Sequence, residues 1–140
     1  MDSFRASRPD VDIEEDVAQI IRSYPPLQMS RPYFTYKSLG GVIQLRGNVR
    51  TPQARRVLVE NAARIAGVSQ VDDTDLFDDE ALRMAVGDVI GLSGQSGVYA
   101  TVHGGVVALT GNKLAHDAAA SLINAVQAIP GVRRVGAALE

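Results

Sequence analysis

The chain has 140 residues, 46% of them hydrophobic and 21% charged, with a net charge of −2, which excludes a disordered chain and leaves room for one domain or two small ones. It has no cysteine, so disulfides, Fe–S clusters and thiol catalysis are excluded. Residues 1–76 carry ten basic and ten acidic side chains and residues 77–140 carry four and six, so neither half has the basic excess of a sequence-independent nucleic-acid binder.

Residues 1–9 are polar and predict a flexible arm. Met1-Asp2-Ser3-Phe4-Arg5 lacks the apolar core of a secretory signal, and no run is long or apolar enough to span a membrane. As written, the sequence predicts a cytoplasmic protein, or a periplasmic one whose leader has been removed. Asp12-Ile13-Glu14-Glu15 predicts a helix start, with Asp12 as cap and Glu15 completing a capping box. Ile13, Val17, Ile20, Ile21 and Tyr24 follow as one apolar stripe, and Pro25-Pro26 stops it. A proline-rich loop over 25–32, containing Leu27 and Met29, leads to a strand over 33–38. Gly40-Gly41 is a tight-turn signal, and a second alternating strand follows it. Gly47-Asn48 predicts the end of that strand. Thr51 caps the next helix with Pro52 at its first position, and Ala54, Leu58, Ala62 and Ile65 form its buried line. A strand begins at Val68–Val71, in a right-handed parallel crossover.

The acidic run Asp72–Glu80 reads as a solvated linker that caps the next helix. The pattern then repeats. Gly40-Gly41-Val42-Ile43-Gln44-Leu45-Arg46-Gly47-Asn48 returns as Gly104-Gly105-Val106-Val107-Ala108-Leu109-Thr110-Gly111-Asn112, an offset of 64. The opening helices align Val17 with Leu82, Ile20 with Ala85, Ile21 with Val86 and Tyr24 with Val89 at offset 65, predicting a one-residue change in the following loop. The expected fold class is α+β: two αββαβ repeats, 10–76 and 77–140, each a three-stranded mixed sheet with two helices on one face. Units of this size are marginal alone, so the repeats should pack on each other or on a second chain to cover part of their open sheet faces.

The pattern Gly-x-Val-x-Leu-x-Gly-x-Val before a helix and Gly-Val-x-x-Val after it resembles the BON domain (bacterial OsmY and nodulation). The first copy has Gly41–Val49 and then Gly67-Val68-Ser69-Gln70-Val71. The second has Gly105–Asn112 and then Gly131-Val132-Arg133-Arg134-Val135, with Lys113 where the first has Val49. The resemblance implies a tandem, non-enzymatic binding module that engages a phospholipid membrane surface or a protein partner. It implies no cofactor, and the matching residues carry over as fold determinants.

Other constellations are weaker. In Gly91-Leu92-Ser93-Gly94-Gln95-Ser96-Gly97, Gln95 stands where a nucleophile elbow needs glycine, and the Gly94–Gly97 spacing lacks the helix pair and basic residue of an RNA-binding loop. The stretch reads as a loop. His103 and His116, the only histidines, read as surface residues without partners for a metal. Arg46, Arg50, Arg55 and Arg56 cluster around the first repeat's second helix and are candidates for anionic lipid headgroups or a partner, against a plain solvated face. Leu27, Met29, Tyr33 and Phe34 either pack over the end of the core or form a partner patch. The exposed sheet faces are also candidates for self-association. A small ligand or ion held between the repeats is the alternative function.

Overall fold

A computed structural model describes residues 8–139. Residues 1–7, most of the expected arm, lie outside the described residues, as does Glu140. Helix α1 (Asp10–Ser23) starts two residues before the expected cap, with Pro9 preceding it and no side-chain cap. Ile13, Val17 and Ile21 are its buried line. Pro25-Pro26 ends α1 but also opens a second, six-residue helix, α2 (Pro25–Ser30), followed by a 3-10 turn (Arg31–Tyr33). The expected loop is therefore helical. Proline at a first helical position lacks only an amide that would have been unpaired.

Strands β1 (Phe34–Leu39) and β2 (Val42–Val49) form the expected antiparallel hairpin, pairing Leu39 with Val42 across the Gly40-Gly41 turn. Gly47 does not end β2. It pairs with Phe34, and the strand runs on to Val49. Thr51 caps α3 (Pro52–Ala63), its side chain accepting the amide of Ala54 at 3.1 Å. Strand β3 (Gln70–Asp78) lies parallel to β2 and absorbs most of the acidic run expected as linker, with a register shift between Gln44 and Arg46. It hands directly onto α4 (Asp79–Ser93), which Asp78 caps through the amide of Ala81 at 2.7 Å. Then follow β4 (Val98–His103), β5 (Val106–Gly111), α5 (His116–Gln127) and β6 (Arg134–Ala138).

The result is two three-stranded mixed sheets, ordered β1-β2-β3 and β4-β5-β6. Each has one face under two long helices and its own core. Ile13, Val17, Ile43, Leu45, Leu58 and Leu76 belong to the first; Val86, Val107, Leu109, Leu122 and Val126 belong to the second.

The opening helices correspond with a different offset from the one expected. Buried Ile13, Val17 and Ile21 match buried Leu82, Val86 and Ile90, an offset of 69. The hairpins keep 64, so the second repeat is five residues shorter between its first helix and its hairpin. What it lacks is α2. The acids before the turns agree: Asp10 binds the first hairpin and Asp79, 69 residues later, binds the second.

Candidate functional site

The repeats meet at the second hairpin turn. Gly104 and Gly105 have φ of 58° and 79°, a primed turn open to glycine. Both are buried, and both amides donate to one carboxylate, Gly104 to Asp79 Oδ2 at 2.8 Å and Gly105 to Asp79 Oδ1 at 3.0 Å. The turn lies against the first repeat: a Cβ on Gly104 would run into the Tyr33 ring, and one on Gly105 into Asn48. Tyr33 also meets His103 edge-on, with ring centroids 5.0 Å apart and its hydroxyl 3.0 Å from Nε2. Asn48, 1% exposed, donates through Nδ2 to the carbonyl of Gly131 at 3.1 Å, and the Phe77 ring covers Gly131. In the first repeat Arg8 takes the place of Phe77. It covers Gly67, binds the carbonyl of Ala66 at 2.9 Å and pairs with Asp16 at 2.7 Å.

Tyr33, Asn48 and Phe77 of the first repeat thus meet Gly104, Gly105, His103 and Gly131 of the second at this junction. The second repeat thereby covers one end of the first sheet's open face, where the register sets Asn48 beside Phe77, two residues on from Arg46 and Asp75, so the repeats cover part of that face as expected. Asn48, Phe77 and Asp79 were not singled out from the sequence. The signal that could have found Asp79 was an acid at the start of the first helix in both repeats, hidden by the wrong offset.

The arginines do not form one free patch. Arg55 is tied down: Nε donates to the carbonyl of Leu76 at 2.9 Å, and Nη2 donates to both the carbonyl and the carboxylate of Asp73 at 3.1 and 3.0 Å. Arg46 is exposed on the open face of the first sheet, where the register sets it beside Asp75 and next to the Gln44–Asp72 pair. Arg50 and Arg56 are exposed at the start of α3. Leu27 is fully buried, so it is core and not a contact residue; Phe34 is buried too. Met29 is 61% exposed, while Tyr33 is spent on the junction.

The carboxyl of Asp72 is held below its ordinary value, first by a side-chain hydrogen bond from Thr74, then by the Thr74 amide at 3.2 Å, with Arg46 adding attraction. A lowered carboxylate value contributes stability that is present above the ordinary value and is lost as pH falls through the lowered one. Thr74→Ala is expected to move the Asp72 midpoint up toward the ordinary value in an NMR titration. An unmoved midpoint would mean that Thr74 is not the cause.

The open sheet faces differ in chemistry. The first carries Thr35, Lys37, Gln44, Arg46, Asp72 and Asp75. The second carries Tyr99, Thr101, Ala108, Thr110, Gly136 and Ala138, with His103 and Arg134 at one end. Tyr99 is 68% exposed. On the opposite side, each repeat has a groove between its two long helices. Among the described residues no helix is long and apolar enough to cross a membrane.

The BON domain profile matches residues 9–74 and again 78–140. The chain belongs to the BON family. BON domains are non-catalytic binding modules, and this protein carries two in tandem. No curated protein sequence matches the chain. Among solved structures, CdsD, a structural protein of the type III secretion system of Chlamydia trachomatis, is similar at 17% identity and a TM-score of 0.39, covering 91% of each chain. The C-terminal domain of CdsD is similar at 16% identity and a TM-score of 0.39, covering 95% of this chain and 100% of that one.

Proposed function

We propose that this tandem BON protein is a non-catalytic module that engages a protein partner, with the second repeat presenting the contact surface and the first holding it in place. The observation that carries this reading is the open face of the second sheet. Its middle is uncharged and built of small side chains around exposed Tyr99. Tyr is a frequent anchor in protein interfaces, whose centres are depleted of charge. The first sheet's face carries charges of both signs instead, Lys37 and Arg46 alongside Asp72 and Asp75. Strands β4 and β6 are both edges and neither contains proline, so strand addition is open to a partner.

A photo-crosslinking residue at Thr101, placed in the protein in its native cells, is expected to give one discrete protein adduct. The same residue at Lys37 is expected to give none. An adduct of twice the chain mass would identify the partner as a second copy.

A phospholipid surface is the second reading, supported by exposed Arg50 and Arg56 near Met29. Ser30, next to Met29, accepts the amide of Arg50 at 3.2 Å, which sets these groups side by side. Each basic residue near an anionic surface contributes about 1 kcal/mol. Co-sedimentation with anionic but not neutral vesicles at low salt, lost in Arg50→Ala/Arg56→Ala, together with no adduct at Thr101, would replace the protein-partner reading with this one.

A further inference from the structure

The edge of a sheet offers unpaired amides and carbonyls to another extended chain, and proteins block such edges with charges, proline or a covering segment. The two repeats treat the same edge differently. In an antiparallel pair each residue turns its amide and carbonyl together, alternately toward the neighbouring strand and away from it. Phe34, Tyr36 and Ser38 are the outward residues of β1, and their row is blocked at both ends. Arg31 Nη1 donates to the carbonyl of Phe34 at 3.0 Å, and Glu14 Oε2 accepts the amide of Ser38 at 2.9 Å. The Arg31 guanidinium also lies 5.0 Å from the centre of the Tyr36 ring. Lys37 adds an exposed charge to the strand.

Strand β4 corresponds to β1 at offset 64. Gly97 turns its carbonyl inward to the amide of Asn112 at 2.9 Å, so the outward residues are Val98, Ala100 and Val102. None of the three blocks is repeated. At offset 69, Arg83 stands in the place of Glu14, and a guanidinium cannot accept an amide. Arg31 has no counterpart, because only Gly94–Gly97 separate α4 from β4. Thr101 stands in the place of Lys37. Among the described residues, no side-chain or loop hydrogen bond reaches the outward groups of Val98, Ala100 or Val102. The helix beside the edge is bare as well. Ala18, Arg22, Gln28 and Arg31 line one pocket with Tyr36 in the first repeat. Gly87, Gly91 and Ala100 replace Ala18, Arg22 and Tyr36 in the second, and a Cβ on either glycine would meet nothing within 4 Å.

We propose that β4 pairs antiparallel with β4 of a second copy of this chain, joining two three-stranded sheets into one about a two-fold axis at Ala100. The proposal rests on the protein-partner reading and names the partner. This register uses all three outward residues: Ala100 faces its own copy, and Val98 faces the partner's Val102. The strand is uncharged from Val98 to Val102, so no like charges meet. Arg83 stands toward Val102, which puts its two copies at opposite ends of the contact. The axis also brings together the α4 helices that pack along β4, and Gly87 and Gly91 leave them room. A two-fold contact closes on itself and leaves no β4 edge to grow from. Tyr99 and the partner's Thr101 become neighbours on the open face. Strand β6 is the poorer edge, because Gly136 at its centre weakens a strand and Arg134 charges its start.

The test uses the full chain. In sedimentation its mass is expected to double between micromolar and millimolar concentration, since one strand pair is a small interface. Ala100→Pro removes an outward amide that β5 does not use, so the chain should keep its melting temperature and stay monomeric. Thr101→Lys, at an exposed position, copies the first repeat's edge charge and should weaken the dimer about tenfold. If Ala100→Pro unfolds the chain, Thr101→Lys decides. Cysteine pairing reads the register, because the chain has no thiol of its own. Tyr99→Cys chains mixed with Thr101→Cys chains should form a disulfide about tenfold faster than either variant alone, since such cross-strand pairs have Cα atoms about 4.5 Å apart. A monomer at millimolar concentration would overturn the proposal; a discrete Thr101 adduct of another mass would then leave the protein-partner reading standing. A dimer unaffected by Thr101→Lys, or thiols that pair fastest within one variant, would overturn the β4 edge.

Discussion

Asp79→Ala is expected to lower stability by about 3 kcal/mol, read as a fall of about 10 °C in melting temperature. Asp79 is 7% exposed and accepts two amides, from Gly104 at 2.8 Å and Gly105 at 3.0 Å. Both glycines are buried, so water cannot replace the carboxylate easily. Hydrogen bonds to a charged group contribute roughly 1.5–3 kcal/mol each, and the two amides left unpaired set the cost. The same turn supports the contacts with Tyr33 and Asn48, so the junction between repeats loosens with it. Asp10 provides the control. It holds the first hairpin through the Ser38 hydroxyl at 2.9 Å and the Gly40 amide at 3.1 Å, but Gly40 is exposed. Asp10→Ala should therefore cost about 1 kcal/mol or less. Urea unfolding of both variants decides the matter. Equal losses would mean that burial at the junction adds nothing to the Asp79 contact.

That contrast also locates where sequence reasoning stopped. The hairpins were legible because paired glycines have few other uses, and Thr51-Pro52 marked a helix start by capping chemistry alone. The register of the opening helices was not. An apolar stripe repeats about every 3.6 residues, so a shift of four leaves the stripe intact and periodicity cannot separate offset 65 from 69. Only the partners of Asp10 and Asp79 fix it. Strand β3 was hidden for a different reason. Four aspartates in nine residues argue against a strand by propensity. Pairing with β2 and neutralisation by Arg55, which holds Asp73 and the Leu76 carbonyl, override that preference. Both partners are distant in sequence, so no local pattern announces them. Of the four arginines, Arg55 is drawn out of the expected cluster by the same contacts.

Leu27→Ala is expected to cost about 3 kcal/mol and to expose α2. Leu27 is fully buried and belongs to the same core cluster as Val49, Ala54 and Leu58. Large-to-small changes at such positions lose both the transfer free energy of the missing carbons and a cavity term. A six-residue helix cannot persist without packing, because helix nucleation is unfavourable. The amides of Leu27 and Gln28, which bind the Tyr24 carbonyl, should therefore exchange with solvent quickly in the variant. The second repeat has a separate core, so the amides of β4 and β5 should keep their protection. Leu92→Ala at the open groove provides the opposite case. With Leu92 89% exposed, its stability change should stay within about 0.5 kcal/mol. A cost below about 1 kcal/mol for Leu27→Ala, or unchanged exchange in α2, would show that α2 is not a plug.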